Sequence, residues 1–251
     1  MKLKIVAMIE ARMKSTRLPG KVMMPFVGKP SLELIIERVK RASLLDEIVV
    51  ATTINQADDM IVDLCRKLNV VFYCGSEDDV LKRVVEAGKK FSADIIVRTT
   101  ADCPLVDWRI VDRLVKIYQS ENYDYVSNVI ERSFPIGFDV EVFSLNKLQE
   151  IEKTVTDKVY REHPPYYFYI HPQQFRLKNW KAKGKLYWPD LRVTLDTRED
   201  YMVLTKIFQE LYPLNPDFSA EDVVDLMRYH PEWVAINSQI QHRHLPRPTA
   251  S

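Results

Sequence analysis

The chain has few cysteines, no long apolar run and no excess of either charge, and each shortage removes a class of protein. Cys65, Cys74 and Cys103 are well separated and form no CxxC pair, which argues against a disulfide framework or a structural zinc and for reduced thiols in a cytoplasmic protein. The N-terminal stretch MKLKIVAMIEARMK interrupts its apolar run with charge after a few residues, too soon for a signal-peptide core or a membrane span. With 36 basic and 35 acidic residues the formal charge is +1. No overall field therefore draws the chain to nucleic acid or anionic lipid, and any anion site must be local. There is no internal repeat, no low-complexity tract, no GxGxxG and no Walker A sequence.

What is present suffices for a sizeable core. The 251 residues are 46% hydrophobic, 28% charged and 10% aromatic, the composition of a soluble globular protein. The length suits one large α/β domain, with or without a smaller extension. KIVAMIEA, DEIVVATT, NVVFYCG and ADIIVRTTADCP are short apolar runs rich in β-branched residues, the pattern of parallel strands buried on both faces. Between them lie helix-period segments: SLELIIERVKRA behind a Ser31 N-cap, ADDMIVDLCRKL and DDVLKRVVEAGKKF. WRIVDRLVKIYQ continues the alternation, which through about the first 120 residues predicts a doubly wound, mostly parallel sheet.

YDYVSN and FPIGFDVEVFS alternate more like a mixed or antiparallel sheet. Residues 145–190 are rich in aromatics and prolines and read as a flanking segment, a dimer surface or an acceptor lid. RVTLDT reads as a returning strand, REDYMVLTKIFQEL as an amphipathic helix, and SAEDVVDLMRYHPEW as a helix capped by Ser219 that stops near Pro231. Residues 1–240 are thus read as one domain and 241–251 as a flexible tail.

The chemistry concentrates at strand ends. EARMKSTRLPGK, Glu10 to Lys21, follows the first strand and carries Arg12, Lys14, Arg17 and Lys21 among Ser15, Pro19 and Gly20. Such a loop turns sharply and brings several cations to one place, as a polyphosphate requires. In open α/β sheets ligands bind beyond the carboxyl ends of the strands, where this loop lies. Asp102 in TTADCPLVD and Asp196 in RVTLDTRED stand at two further strand ends. Two carboxylates facing a cationic loop would seat Mg²⁺, which takes one or two carboxylates plus substrate phosphates. Taken singly, each Asp is as readily a helix N-cap, the role that suits Asp107 and Asp200 better. The histidines show no metal-ligand pairing, and His242 and His244 share the tail.

ARMKSTRLPGK resembles the N-terminal signature of the sugar-acid cytidylyltransferases, the superfamily of the acylneuraminate and 3-deoxy-manno-octulosonate cytidylyltransferases. GSEDDVLKR, RTTADCPLVD, FPIGFDVEVFS, REHPPYYFY and VTLDTREDY are more specifically similar to its spore-coat polysaccharide branch. The blocks run in order from residue 11 to about residue 204, so the resemblance spans most of the chain. It implies a Rossmann-like, nucleotide-diphospho-sugar transferase fold, a homodimer, and a Mg²⁺-dependent reaction in which CTP and a sugar acid give a CMP-sugar and pyrophosphate for surface polysaccharide synthesis. It further implies that Ala11, Arg12, Ser15, Arg17 and Lys21 hold the triphosphate and that Asp102 and Asp196 hold the metal. Ala51, Thr52 and Ser76 would lie by the nucleoside, and Asp139, Glu141 and His163 would face the acceptor. Arg12, Lys21, Asp102 and Asp196 would carry catalysis, with Asp139 or a metal-activated hydroxyl supplying the base. Lys14 is left to solvent. Ala101 replaces the branch's expected glycine, and Pro164 a frequent valine.

Tyr166, Tyr167 and Tyr169 suit a subunit interface ahead of a monomer core or a stacking platform. Two other functions fit part of the pattern. A GT-A glycosyltransferase would present a D-x-D pair, but Asp102 is followed by Cys103 and Pro104. A non-catalytic nucleotide-binding module would have no need of the basic loop together with both carboxylates.

Overall fold

The computed structural model describes residues 2–241. Of the tail expected over 241–251, residues 242–251, His242 and His244 included, lie outside the described residues. In chain order, β1 (Ile5–Glu10) leads through the basic loop to a short 3₁₀ turn and a hairpin, β2 (Pro25–Phe26) and β3 (Lys29–Pro30). Then come α1 (Ser31–Val39), β4 (Glu47–Thr53), α2 (Asp59–Lys67), β5 (Val71–Gly75), α3 (Val80–Lys90), β6 (Ile95–Thr100) and α4 (Trp108–Ser120). The second half contains β7 (Tyr125–Ser127), β8 (Glu141–Ser144), α5 (Leu145–Thr154), α6 (Lys158–Glu162), α7 (Tyr166–Ile170) and β9 (Leu177–Asn179). It closes with α8 (Arg198–Leu211), α9 (Ala220–Tyr229) and α10 (Pro231–Asn237).

The described strands outside the hairpin form one sheet ordered β5-β4-β1-β6-β8-β7-β9. β5, β4, β1 and β6 are parallel neighbours, and β8 runs antiparallel to both β6 and β7. Side chains alternate faces along a strand, so β1 feeds two cores. Ile5, Ala7 and Ile9 join the cluster of α1, α2, α4, α8 and α9. Val6 and Met8 join that of α3, α5 and α7. The register sets Glu10 opposite both Ala51 and Thr100, so the parallel strands finish level and deliver their following loops to one rim. Among the described residues no helix is long and apolar enough to cross a membrane.

Several sequence expectations are corrected. RVTLDT forms no strand; Arg192 makes a lone bridge to Ile136. Pairing is limited because the partner chain turns at Gly137 (φ 121°), and because the amide of Asp196 is taken by the Asp200 carboxylate at 3.0 Å. Ser31 is not a cap: it follows Pro30 as the first residue of α1, its amide donates to the Met24 carbonyl, and its buried hydroxyl has no partner. Ser219 does cap α9 and Asp107 caps α4. At α8 the cap is Thr197, with Asp200 answering three residues later as the second half of a capping box. Pro231 stands where α9 has ended and at once starts α10, the helix position that tolerates a missing amide proton.

The 145–190 segment is more integrated than a flank, since β9 extends the sheet beside β7. Its tyrosines pack within the chain. Tyr166 and Phe168 are buried, and Tyr167 and Tyr169 pack against the chain's own second core. Phe168 lies 5.3 Å from Tyr125 between ring centres, so the second core engages this aromatic cluster, with Tyr167 and Tyr169 left part-buried.

At Gly137 an added Cβ would lie 2.6 Å from the Val193 backbone. Gly137→Ala should therefore combine a strained φ with a backbone clash and lose about 2–4 kcal/mol. A urea titration with an unchanged midpoint would contradict this.

Candidate active site

The basic loop is shaped by its backbone and anchored by a buried carboxylate. Gly20 adopts a left-handed conformation (φ 71°), and its amide donates to the Met13 carbonyl at 2.8 Å, closing the loop on itself. Asp58, almost fully buried after β4, accepts the Met13 amide at 2.6 Å and the Thr53 hydroxyl at 2.5 Å. Loop and strand end are thereby pinned together. Asp58 lies within the helix-period segment ADDMIVDLCRKL but belongs to the 3₁₀ turn Gln56–Asp58 ahead of α2.

Lys21 sits where the loop meets the two predicted carboxylates. Its Nζ lies 2.8 Å from Asp196 Oδ1 and 3.4 Å from Asp102 Oδ2, and its side chain is 13% exposed. Arg17 reaches the same Asp196 oxygen at 3.0 Å, while Asp196 Oδ2 accepts from Arg192 at 3.1 Å. Asp102 Oδ1 accepts from the Thr100 hydroxyl. The backbone joins the two acids as well: the Asp102 carbonyl accepts the Leu195 amide at 2.7 Å and the Thr194 hydroxyl at 2.8 Å. Burial pushes the Asp102 carboxyl up, but the Lys21 charge and the hydrogen bonds from Thr100 and Lys21 outweigh it and hold the group below its usual value. Burial likewise pulls Lys21 down, and the two acids more than restore it. Lys21 and Asp102 therefore stay an ionised pair at neutral pH.

Other members of the predicted set are arranged differently. Arg12 is half-buried on the loop, and among the described residues no carboxylate pairs with it. It is thus the loop cation not committed to the protein. Lys14 is exposed and pairs at the surface with Glu77 at 3.0 Å. Ser15 accepts the Leu18 amide at 3.4 Å. Ala11, whose amide donates to the Ala51 carbonyl at 3.2 Å, is buried, as are Ala51 and Thr52, and the Thr52 hydroxyl has no partner. Ser76 accepts the Asp79 amide at 3.1 Å.

Of the residues expected to face an acceptor, Asp139 is held by both nitrogens of the Arg132 fork. His163 ends α6, its amide donating to the Val159 carbonyl at 2.9 Å. Glu141 is deeper. Arg98 donates to Glu10 at 2.6 Å and to Glu141 at 2.5 Å, and the Tyr125 hydroxyl takes the other Glu141 oxygen at 2.5 Å. Glu141 thus braces β1, β6, β7 and β8 together instead of offering a free carboxylate. Burial, with Asp102 and Asp139 nearby, raises the Cys103 thiol well above its usual value, so it is no nucleophile.

Asp102 and Asp196 offer hard oxygens on one cation. Among the described residues no group of three or more His, Cys, Asp or Glu side chains converges to hold a metal. A cation bound here would complete its shell from phosphate oxygens and water, the pattern of Mg²⁺, so the donor set fits that ion.

A cationic loop faces paired carboxylates at the parallel rim, the place where open α/β sheets bind their ligands. The chain belongs to the cytidylyltransferase family, whose model matches residues 6–229. It is 32% identical to the spore coat polysaccharide biosynthesis protein SpsF of Bacillus subtilis, over 91% of this chain and 95% of that one. A solved cytidylyltransferase from Leptospira borgpetersenii serovar Hardjo-bovis superposes with a TM-score of 0.89 at 31% identity, covering 97% of this chain and 100% of that one. The 3-deoxy-manno-octulosonate cytidylyltransferase of Geobacter metallireducens is 32% identical over 45% of this chain and 44% of its own length.

The Glu141 geometry makes a prediction. Glu141→Gln leaves Arg98 buried with one carboxylate instead of two and should cost about 3 kcal/mol of stability, with KM for the acceptor unaltered. A raised acceptor KM at unchanged denaturation midpoint would instead make Glu141 a substrate contact.

Proposed function

We propose that the protein transfers CMP from CTP to a sugar acid, releasing pyrophosphate, in the synthesis of a surface polysaccharide. The observation that carries this is the convergence of Asp102 and Asp196 on Lys21, facing a loop whose Arg12 pairs with no carboxylate among the described residues. The sugar-acid acceptor is supported by the relative that acts as a 3-deoxy-manno-octulosonate cytidylyltransferase, and the polysaccharide setting by the spore-coat relative.

In this reading the acceptor hydroxyl attacks the α-phosphorus in line. A new P–O bond forms as the bond to pyrophosphate breaks, and negative charge grows on the leaving oxygens. Arg12, Arg17 and Lys21 hold the triphosphate and meet that charge with preorganised donors. Lys21 can pass from the carboxylates to phosphate while remaining a cation. Asp102 and Asp196 would hold Mg²⁺, which, when bound, neutralises phosphate charge and orients the α-phosphate. Asp139 has both oxygens engaged by Arg132, so it accepts the hydroxyl proton only after that pair opens. The same reading makes the protein a cytoplasmic homodimer, a state that sedimentation would report.

A glycosyltransferase reading lacks its D-x-D pair at the end of β6. A purely binding role leaves the paired acids without purpose.

The test incubates the protein with CTP, Mg²⁺ and a panel of nonulosonic acids and follows pyrophosphate. Asp102→Ala should lower turnover at least about 100-fold while CTP affinity changes far less. Release of free nucleoside diphosphate from a nucleotide-sugar would favour the glycosyltransferase. Absence of both pyrophosphate release and CTP binding would sink the proposal.

A further inference from the structure

Asp196 lies in a stretch with no regular secondary structure, between the lone bridge at Arg192 and the start of α8. Backbone pairing alone does not fix its side chain. What surrounds it is a lattice of buried charge. Arg192, 3% exposed, donates through Nε to Asp200 Oδ1 at 2.8 Å, and through Nη2 to Asp200 Oδ2 at 2.9 Å and Asp196 Oδ2 at 3.1 Å. Asp200, fully buried, also accepts the amides of Asp196 and Thr197, each at 3.0 Å. Asn237, near the end of α10, donates to the Arg192 carbonyl at 3.0 Å and to Asp200 Oδ1 at 2.9 Å. The last helix described thus reaches back to the rim.

The geometry points to Arg192 as a positioning residue for Asp196, clamped in turn by Asp200 and Asn237. Arg192 takes Oδ2, so Oδ1 is the oxygen turned to Arg17 and Lys21. The guanidinium therefore chooses which carboxylate oxygen faces the ligand. Stability alone does not account for this lattice. Arg192 Nη1 is buried without a partner, and buried ionic clusters are often replaceable by apolar groups with no loss of stability. A planar fork gripping two acids at once does something an apolar side chain cannot: it sets a rotamer.

This inference rests on the proposed use of Asp196 as a metal carboxylate, and its test reads metal binding as well as turnover. Arg192→Lys keeps the positive charge beside Asp200 but loses the fork. Asn237→Ala leaves every charge in place and carries the test if the lysine variant does not fold. Mn²⁺ binding in the presence of CTP is followed by water-proton relaxation enhancement, kcat and KM by pyrophosphate release, and folding by circular dichroism. Arg192→Lys should weaken Mn²⁺ binding or lower kcat about 10–100-fold, the usual cost of removing an outer partner of a metal ligand, with KM for the acceptor unchanged. Asn237→Ala should shift the same quantities in the same direction by a smaller factor. Lys185→Ala, which breaks a remote surface pair with Asp225, is the control and should change neither. Folded variants that keep Mn²⁺ affinity and kcat within about twofold of wild type, while melting earlier, would give the lattice a structural role only and overturn the inference. A wild-type protein that neither binds Mn²⁺ with CTP nor releases pyrophosphate would overturn the functional reading itself.

Discussion

Two carboxylates brought side by side at the end of a sheet repel each other unless a cation stands between them, and the molecule is organised around that constraint. Lys21 supplies the cation. The loop that carries it must turn sharply at Gly20 and be fastened through Met13 to Asp58. The two acids come from segments about 90 residues apart in sequence, joined by hydrogen bonds from Leu195 and Thr194 to the Asp102 carbonyl. Charge neutrality of the whole chain coexists with this strongly polar rim because Arg17, Lys21 and Arg192 meet Asp102 and Asp196 directly, with Arg12 left over.

A second balanced cluster lies beside the first. Arg98, held charged despite burial by Glu10 and Glu141, links the β1 end to the antiparallel half of the sheet. Reversal of strand direction at β8 removes the level rim that parallel strands provide. The Arg98 brace, with Tyr125 against Glu141, ties that half back to the ligand-facing ends. The parallel half presents the basic loop, and the antiparallel half presents Arg132 and Asp139.

The parallel half was legible because its signals are local. Buried strands such as KIVAMIEA and one-sided helices such as DDVLKRVVEAGKKF carry their pattern within a dozen residues. The basic loop, Asp102 and Asp196 were legible for a related reason, since strand ends in such sheets are where ligands bind. What escaped depended on a distant partner. RVTLDT has a strand's composition, but the Asp200 carboxylate captures its amides. Glu141 looks like any acid at a strand start until Arg98 and Tyr125 are seen to close on it. Asp58, Arg192 and Asn237 carry no spacing signal, because their meaning lies in contacts 45 residues away in each of two cases. The tyrosines show the limit of composition: aromatic content signals burial and says nothing of whether the burying surface belongs to the same chain.

The single bridge between Ile136 and Arg192, beside the close approach of Gly137 to Val193, bears on how such a protein diversifies. The loop through Gly137 and the segment bearing Asp196 share a backbone seam that admits no side chain at its narrowest point. Exchange of the loop between relatives would therefore import a surface that no longer matches the facing strip. The two strips are better transplanted together, so that the seam stays intact.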